Sequence, residues 1–323
     1  MKNLYHKHIT QPSAAPHALD LPATPHALNL PVTPRALGAI AAGLGLACAV
    51  AGVTIWKHLR KSDTHFVKTS AGLARIHTIE DEQGNPVRVL EQNGAYESAT
   101  YLDKNYPVPV FAYQQAFDHV FEATLFDNGF TNNQVLMIGG GGYAWPKHVL
   151  NTKPDLYLDV VELDQSVTDI AKKWFYLDQL LEELPHAVDK LGLITADGRN
   201  YLKTTHKQYA AIINDTFSGK DPVLSLATIE AMRLAKLRLV PGGIYATNVV
   251  SQDEGEDITF LRHVVTTLDE VFNQVVIIPC EDADFGLEDN YLVIATDAEC
   301  PFSHTMPYDD DFLSSILCDD DLL

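Results

Sequence analysis

The chain has 323 residues, 46% hydrophobic and 20% charged, with four cysteines and a formal net charge of −20. That composition excludes a disordered or collagen-like chain and accommodates one large domain plus a small one. The charge is uneven: residues 1–61 hold Lys2, Lys7, Arg35, Lys57, Arg60 and Lys61 against Asp20, a net +5 that leaves −25 for the rest, so nucleic acid is not an expected partner.

The acidity either serves solubility alone or draws in a cationic substrate. Cys48, Cys280, Cys300 and Cys318 form no Cys-x-x-Cys pair, which indicates neither a disulfide framework nor a zinc site. No metal is expected, and His6 and His8 read as part of a solvated tail.

In chain order, residues 1–35 carry a short repeat built on Pro16, Pro25 and Pro34, each followed by His or Arg, Ala and Leu. Proline at this density blocks helix and sheet, so a flexible tail is expected. Ala36 to Trp56 is a charge-free run of 21 residues, which at about 1.5 Å per residue spans a hydrocarbon core of ~30 Å. It reads as a transmembrane helix, its Gly and Ala content suited to close helix pairing and hence to a homodimer. The basic flank Lys57, Arg60, Lys61 and Lys68 outweighs the single Arg35 on the other side. This predicts a single-pass, membrane-anchored chain with its catalytic domain in the cytoplasm. A cleaved signal peptide and a buried soluble helix are the competing readings.

Residues 57–73 read as a linker, and 74–110 as a small antiparallel β lobe with strands at 75–79, 87–90 and 95–102. Asn93-Gly94 between two alternating segments signals a tight hairpin, because a type I′ turn needs positive φ at both positions. Residues 111–300 then alternate strands and helices. Strands are expected at 134–138, 156–163, 191–195, 209–213, 244–250, 274–278 and 291–296. Helices are expected at 167–175, 223–239 (stopped by Pro241-Gly242-Gly243) and 258–272. The alternation predicts a doubly wound α/β domain on a parallel sheet, its last two strands forming an antiparallel hairpin at the edge. Residues 301–323 read as a solvated acidic tail.

Chemistry concentrates at predicted strand ends. Gly139, Gly140, Gly141 and Gly142 follow the first strand of the large domain, where glycines permit a tight turn and close approach of backbone to a ligand. Glu162 closes the second strand, 23 residues beyond Gly139, where a carboxylate accepts from both ribose hydroxyls of a nucleoside. A plain surface acid is the alternative. Asp197-Gly198 follows the third strand, with Asp197 suited to the adenine amino group, to capping the next helix, or to both. Asp215 closes the fourth strand, ahead of Ser218. The cofactor is therefore expected to contain adenosine.

These motifs, namely the glycine run, Val160-Val161-Glu162-Leu163-Asp164, Ala196-Asp197-Gly198-Arg199 and the Asp215 strand end, resemble the spermidine synthase family of polyamine aminopropyltransferases. Gly94-Ala95-Tyr96-Glu97-Ser98 and Tyr113-Gln114-Gln115 resemble its substrate-side motifs. The resemblance, over residues 75–297, implies a methyltransferase-like (Rossmann-like) fold and decarboxylated S-adenosylmethionine as co-substrate. Gly139, Gly140, Gly141, Glu162, Asp197, Gly198 and Gln114 would hold that co-substrate. A small-molecule amine such as putrescine would lie near Glu97, Ser98 and Ser218, with Asp215 and Tyr113 as catalytic groups, although a buried lobe tyrosine is an equal reading of Tyr113. Two acids of the family pattern are replaced here, by Gly142 and Ser218, the second unless Asp221 swings in to take its place. Asp215 to Gly219 followed by Thr228 to Ala231 resembles a divergent branch of the family that is often joined to membrane segments. An S-adenosylmethionine-dependent methyltransferase and a non-catalytic, membrane-tethered nucleoside-binding module remain the alternatives.

Overall fold

A computed structural model of the chain describes residues 63–81, 83–126, 133–218, 221–250, 258–280 and 290–322. The proline-rich tail and the apolar run 36–56 lie outside them. Among the described residues no helix is long and apolar enough to cross a membrane.

The lobe is a four-stranded antiparallel meander of β1 (His65–Thr69), β2 (Gly72–Glu80), β3 (Pro86–Gln92) and β4 (Ala95–Tyr101), in that spatial order. Its last turn has Asn93 at φ 51° and Gly94 at φ 80°, the positive pair expected of the Asn-Gly signal. The lobe begins earlier than expected, since β1 occupies part of the supposed linker and pairs with β2 from His65↔Ile76 to Thr69↔Gly72. Hydrophobic alternation could not reveal it, because Phe66 is 62% exposed and only Thr69 of the strand is buried.

The large domain is built on a seven-stranded sheet in the order β12-β13-β11-β8-β5-β6-β7. Its strands are β5 (Gln134–Ile138), β6 (Tyr157–Glu162), β7 (Leu191–Thr195), β8 (Tyr209–Asn214), β11 (Leu239–Val250), β12 (Gln274–Cys280) and β13 (Asn290–Thr296). β9 (Phe217–Ser218) and β10 (Asp221–Pro222) form a separate two-residue ribbon. β6 and β8 flank β5 in parallel, as β11 does β8, so the strand order reverses on either side of β5. Both faces of the sheet are covered. In β5, Val135 and Met137 pack in one apolar cluster and Leu136 and Ile138 in the other, as the alternation of a strand requires. β12 and β13 pair antiparallel as expected, but β13 lies inside the sheet between β11 and β12. Its sequence explains this, since Leu292 to Ala295 are all buried.

Two further expectations are corrected. The long helix 223–239 is instead a 3-10 turn at Leu224–Leu226 and a helix at Ile229–Leu237. Thr228 interrupts them by capping the second, its hydroxyl accepting from the Ala231 N–H at 3.4 Å. Pro241-Gly242-Gly243 lies inside β11, in the register shift between Leu239 and Ile244, where the strand tolerates proline. The tail 301–322 is not a freely solvated end, because Met306 bridges to Ile277 and Tyr308, Phe312, Leu313 and Leu317 pack against the core.

Lys147 joins lobe to domain. It lies on the helix after the glycine run, is 1% exposed, and donates to Thr100 Oγ1 (3.1 Å), the Tyr106 carbonyl (3.0 Å) and the Phe175 carbonyl (2.7 Å). Burial pushes its ammonium down to about 7. The folded chain therefore binds fewer protons here than the unfolded chain between about pH 7 and the normal lysine range, so this group makes stability rise with pH across that window. Thermal unfolding from pH 7 to 9.5 is predicted to show this rise in the wild type and a flatter profile in Lys147→Met. Parallel profiles would remove Lys147 as its source.

Candidate functional site

The glycine loop turns where the sheet order reverses, and crowding dictates its sequence. The Gly139 N–H donates to the Val161 carbonyl (2.9 Å), and the Asp215 N–H to the Ile138 carbonyl (2.9 Å). Gly139 has φ +91°, and a Cβ placed on it would lie 2.0 Å from the Asp215 carbonyl oxygen. Only glycine fits that combination. A Cβ on Gly140 would meet the Tyr143 ring at 2.7 Å. Tyr143 is itself left-handed at φ 56° and fully buried, its hydroxyl 2.9 Å from Thr168 Oγ1.

Glu162 organises this loop. One carboxylate oxygen accepts from the Gly140 N–H (2.8 Å) and the Gly141 N–H (3.3 Å), and the other from the Asp164 N–H (3.0 Å). A carboxylate offers about four acceptor positions, so one remains for a ligand hydroxyl. The sequence did not reveal this structural duty of Glu162. Asp164 caps the following helix through the Ser166 N–H (2.8 Å) and also accepts from Ser70 N on the β1–β2 turn. Burial raises its carboxyl, but the hydrogen bonds from Ser166 and Ser70 outweigh that and hold it at about 2. This ties the lobe to the rim of the site.

A cavity of about 500 Å³ opens between lobe and sheet. It brings together Gly139, Gly140, Gly141, Glu162, Asp197, Gly198, Asp215, Glu97, Tyr113 and Gln114 of the expected residues. Asp197 caps its helix through the Asn200 N–H at 2.8 Å and also lines the cavity, so both roles foreseen for it are sterically compatible. Gly198 permits close packing of that helix, since a Cβ there would lie 2.3 Å from Ile138 Cγ2. Tyr113 is 8% exposed and stacks on Phe111, while Gln114 donates to the Tyr113 hydroxyl at 3.2 Å.

Ser98 does not line the cavity. It is 1% exposed, and its Oγ would lie 2.6 Å from a Cβ on Gly142, with Phe175 Cδ1 at 2.8 Å. The family's acid is therefore not merely absent at this position, because Ser98 and Phe175 fill the space that its side chain would need. Gln115 is exposed and donates to the Pro109 carbonyl at 2.9 Å. The side chains of Ser218 and Asp221 lie outside the described residues.

Asp215 is the site's most perturbed acid. Burial pushes its carboxyl up to about 7 against the lowering effect of Asn248, whose Nδ2 donates to Oδ1 at 3.2 Å. Sequence reading missed Asn248, although a polar residue in the apolar stretch Ile244 to Val250 was a usable signal. It also missed Glu91, which lines the cavity while held by Arg75 (3.1 Å) and His77 (2.9 Å). Glu91, Glu97, Glu162, Asp164, Asp197 and Asp215 all line the cavity, and among the described residues no Lys, Arg or His does. Nor do the described residues contain a His, Cys, Asp and Glu cluster able to hold a metal ion.

Fold and site together define a methyltransferase-like α/β protein with an acid-lined cavity at the point where its strand order reverses. The chain belongs to the spermine/spermidine synthase family, whose "Spermine/spermidine synthase domain" profile matches residues 110–280. It is 34% identical over 122 residues to polyamine aminopropyltransferase 2 of Hyperthermus butylicus, covering 36% of this chain and 38% of that one. The match spans about two fifths of the length of that relative and of the polyamine aminopropyltransferase of Chromobacterium violaceum. Its fold is that of a probable spermidine synthase from Corynebacterium glutamicum (TM-score 0.59, 19% identity, 73% of this chain and 80% of that one). The same fold occurs in a spermidine synthase crystallised with the transition-state analogue AdoDATO (TM-score 0.54, 19% identity, 75% of each chain).

The crowding at Gly142 yields a test. Gly142→Ala is predicted to cost about 1–3 kcal/mol by overpacking, and Ser98→Gly in the same chain to recover part of that loss. Additive effects of the two substitutions in thermal unfolding would show that they do not share this space.

Proposed function

We propose that the chain transfers an aminopropyl group from decarboxylated S-adenosylmethionine to a small amine such as putrescine. The observation that carries this is the cavity's charge: six lining carboxylates and no cationic side chain among the described residues. Decarboxylated S-adenosylmethionine presents a sulfonium and an ammonium, both attracted there. Intact S-adenosylmethionine adds a carboxylate that would face acids. The loop amides of Gly140 and Gly141 already serve Glu162. The spermidine synthase crystallised with AdoDATO supports the same reading.

In this reading Glu162, Asp197 and Gln114 hold the nucleoside donor, and Asp215, with Tyr113 and Glu97 also lining the cavity, receives the amine. The amine nitrogen forms a bond to the methylene beside sulfur. The carbon–sulfur bond breaks with its electron pair going to sulfur, which leaves as the neutral thioether 5′-methylthioadenosine. The proton lost by the amine passes to Asp215. A carboxyl poised at about 7 is suited to that exchange near neutral pH.

We further propose that residues 36–56 anchor the chain in a membrane as a single span, with the catalytic body on the cytoplasmic side. The charge-free run and its basic flank support this, and they support membership of a membrane-associated branch of the family. The Gly and Ala residues of that span are suited to pairing two copies.

The test supplies both donors with putrescine and identifies products by mass spectrometry. Spermidine with 5′-methylthioadenosine is expected. A methylated product, or none from either donor, would refute the assignment. Asp215→Asn is predicted to lose about 10²-fold or more in turnover. Because the base acts as carboxylate, kcat/KM should fall as pH drops through about 7. Asn248→Leu, which removes a hydrogen bond that favours the charged form, should move that fall to higher pH. A limb that stays in place would separate Asn248 from the base.

A further inference from the structure

The acidic run at the end of the chain has no part in the proposed chemistry, yet it reaches the cavity's walls. The strap leading to it is fixed to the domain along its length. Arg262 Nε donates to the Phe312 carbonyl (2.6 Å), the Ser314 N–H to Thr266 Oγ1 (2.7 Å), the Leu317 N–H to Thr267 Oγ1 (2.9 Å) and the Ile229 N–H to the Leu317 carbonyl (2.8 Å). The strap delivers Asp319 to Arg199. Arg199 Nη1 donates to Asp319 Oδ1 (2.6 Å) and Nη2 to Oδ2 (2.5 Å), a two-pronged contact. The same Nη1 donates to the Ser225 carbonyl (2.7 Å) and lies 3.0 Å from Thr228 Oγ1. Thr228 in turn donates to Asp319 Oδ1 (2.7 Å), and the Asp319 N–H donates to Glu230 (3.0 Å).

Arg199 thus stands between two wall segments of the cavity. It follows Asp197 and Gly198 on one side, and on the other it grips the turn that carries Leu226, all three of which line the cavity. Neither segment is a strand of the sheet, and Arg199 bridges them by hydrogen bonds beside the direct packing of Leu226 against Gly198. The Arg199 guanidinium holds the Asp319 carboxyl below the usual range, so the pair is charged at neutral pH.

We propose that Asp319 is a positioning residue for the nucleoside: through Arg199 it fixes the separation of segments 196–198 and 223–226, and with it the affinity for the adenosine base. This rests on the cavity being an adenosine site. Asp319 touches no ligand itself, and the strap acts as an outer brace of the pocket.

The experiment titrates the full chain with 5′-methylthioadenosine by calorimetry and compares Asp319→Asn, Arg199→Lys and the control Asp320→Asn. The expected result is that Asp319→Asn weakens binding about 10-fold. Arg199→Lys, which keeps the charge but loses the two-pronged geometry, should change it in the same direction. Asp320→Asn should bind like the wild type. In turnover, Asp319→Asn should raise KM for the nucleoside donor while kcat and KM for the amine stay unchanged, a split that general loss of folded protein would not produce. Wild-type affinity in both Asp319→Asn and Arg199→Lys overturns the proposal. If the wild type does not bind 5′-methylthioadenosine, the adenosine-site reading falls and this inference falls with it.

Discussion

Everything at the site depends on how closely two backbones approach where the sheet reverses its order. Gly139 is pressed so near the Asp215 carbonyl that a single methyl group would collide at 2.0 Å. That contact puts the glycine loop and the end of β8 side by side. Glu162 then finishes the loop by accepting its Gly140 and Gly141 N–H groups. A buried carboxylate satisfied by backbone donors has a fixed orientation, and it ties the loop to the end of β6. The cavity is what remains between these fixed edges and the lobe, which Asp164 ties to the rim at Ser70.

The electrostatics follow from this arrangement. Each parallel strand delivers its terminal residue to the same edge, so acids at the ends of β6 and β8 and just after β7 converge without being near in sequence. Convergence of like charge is costly unless a cation arrives or one acid takes up a proton. Two of these acids are shifted by their immediate surroundings: hydrogen bonds from Ser166 and Ser70 hold Asp164 charged against burial, whereas burial pushes Asp215 up to about 7. The replacement of an acid by Gly142 fits the same picture, because Ser98 and Phe175 occupy that volume. Relative to the family pattern the loop lacks that acid, while Glu162 and Asp197 still line the cavity.

Much of this was legible in the sequence because the signals were local. The glycine run, the acids at strand ends and the Asn93-Gly94 turn each follow from a conformation that few residues allow. What sequence could not show depended on packing between distant segments. β1 was hidden by outward-facing Phe66, and β13 entered the sheet because both of its faces are apolar. The end of the chain looked solvated by composition, yet Asp319 meets Arg199, 120 residues earlier. Likewise Glu162 looked like a free ribose ligand, and only the structure reveals the loop amides it already serves.

The most direct measurement of the central claim, that this cavity selects a cationic nucleoside, is the affinity of the full chain for decarboxylated against intact S-adenosylmethionine. The two differ by one carboxylate, and an acid-lined cavity with no basic side chain among its described residues predicts that the decarboxylated form binds about 10-fold or more tightly. Equal affinity, or preference for the intact form, would contradict the account.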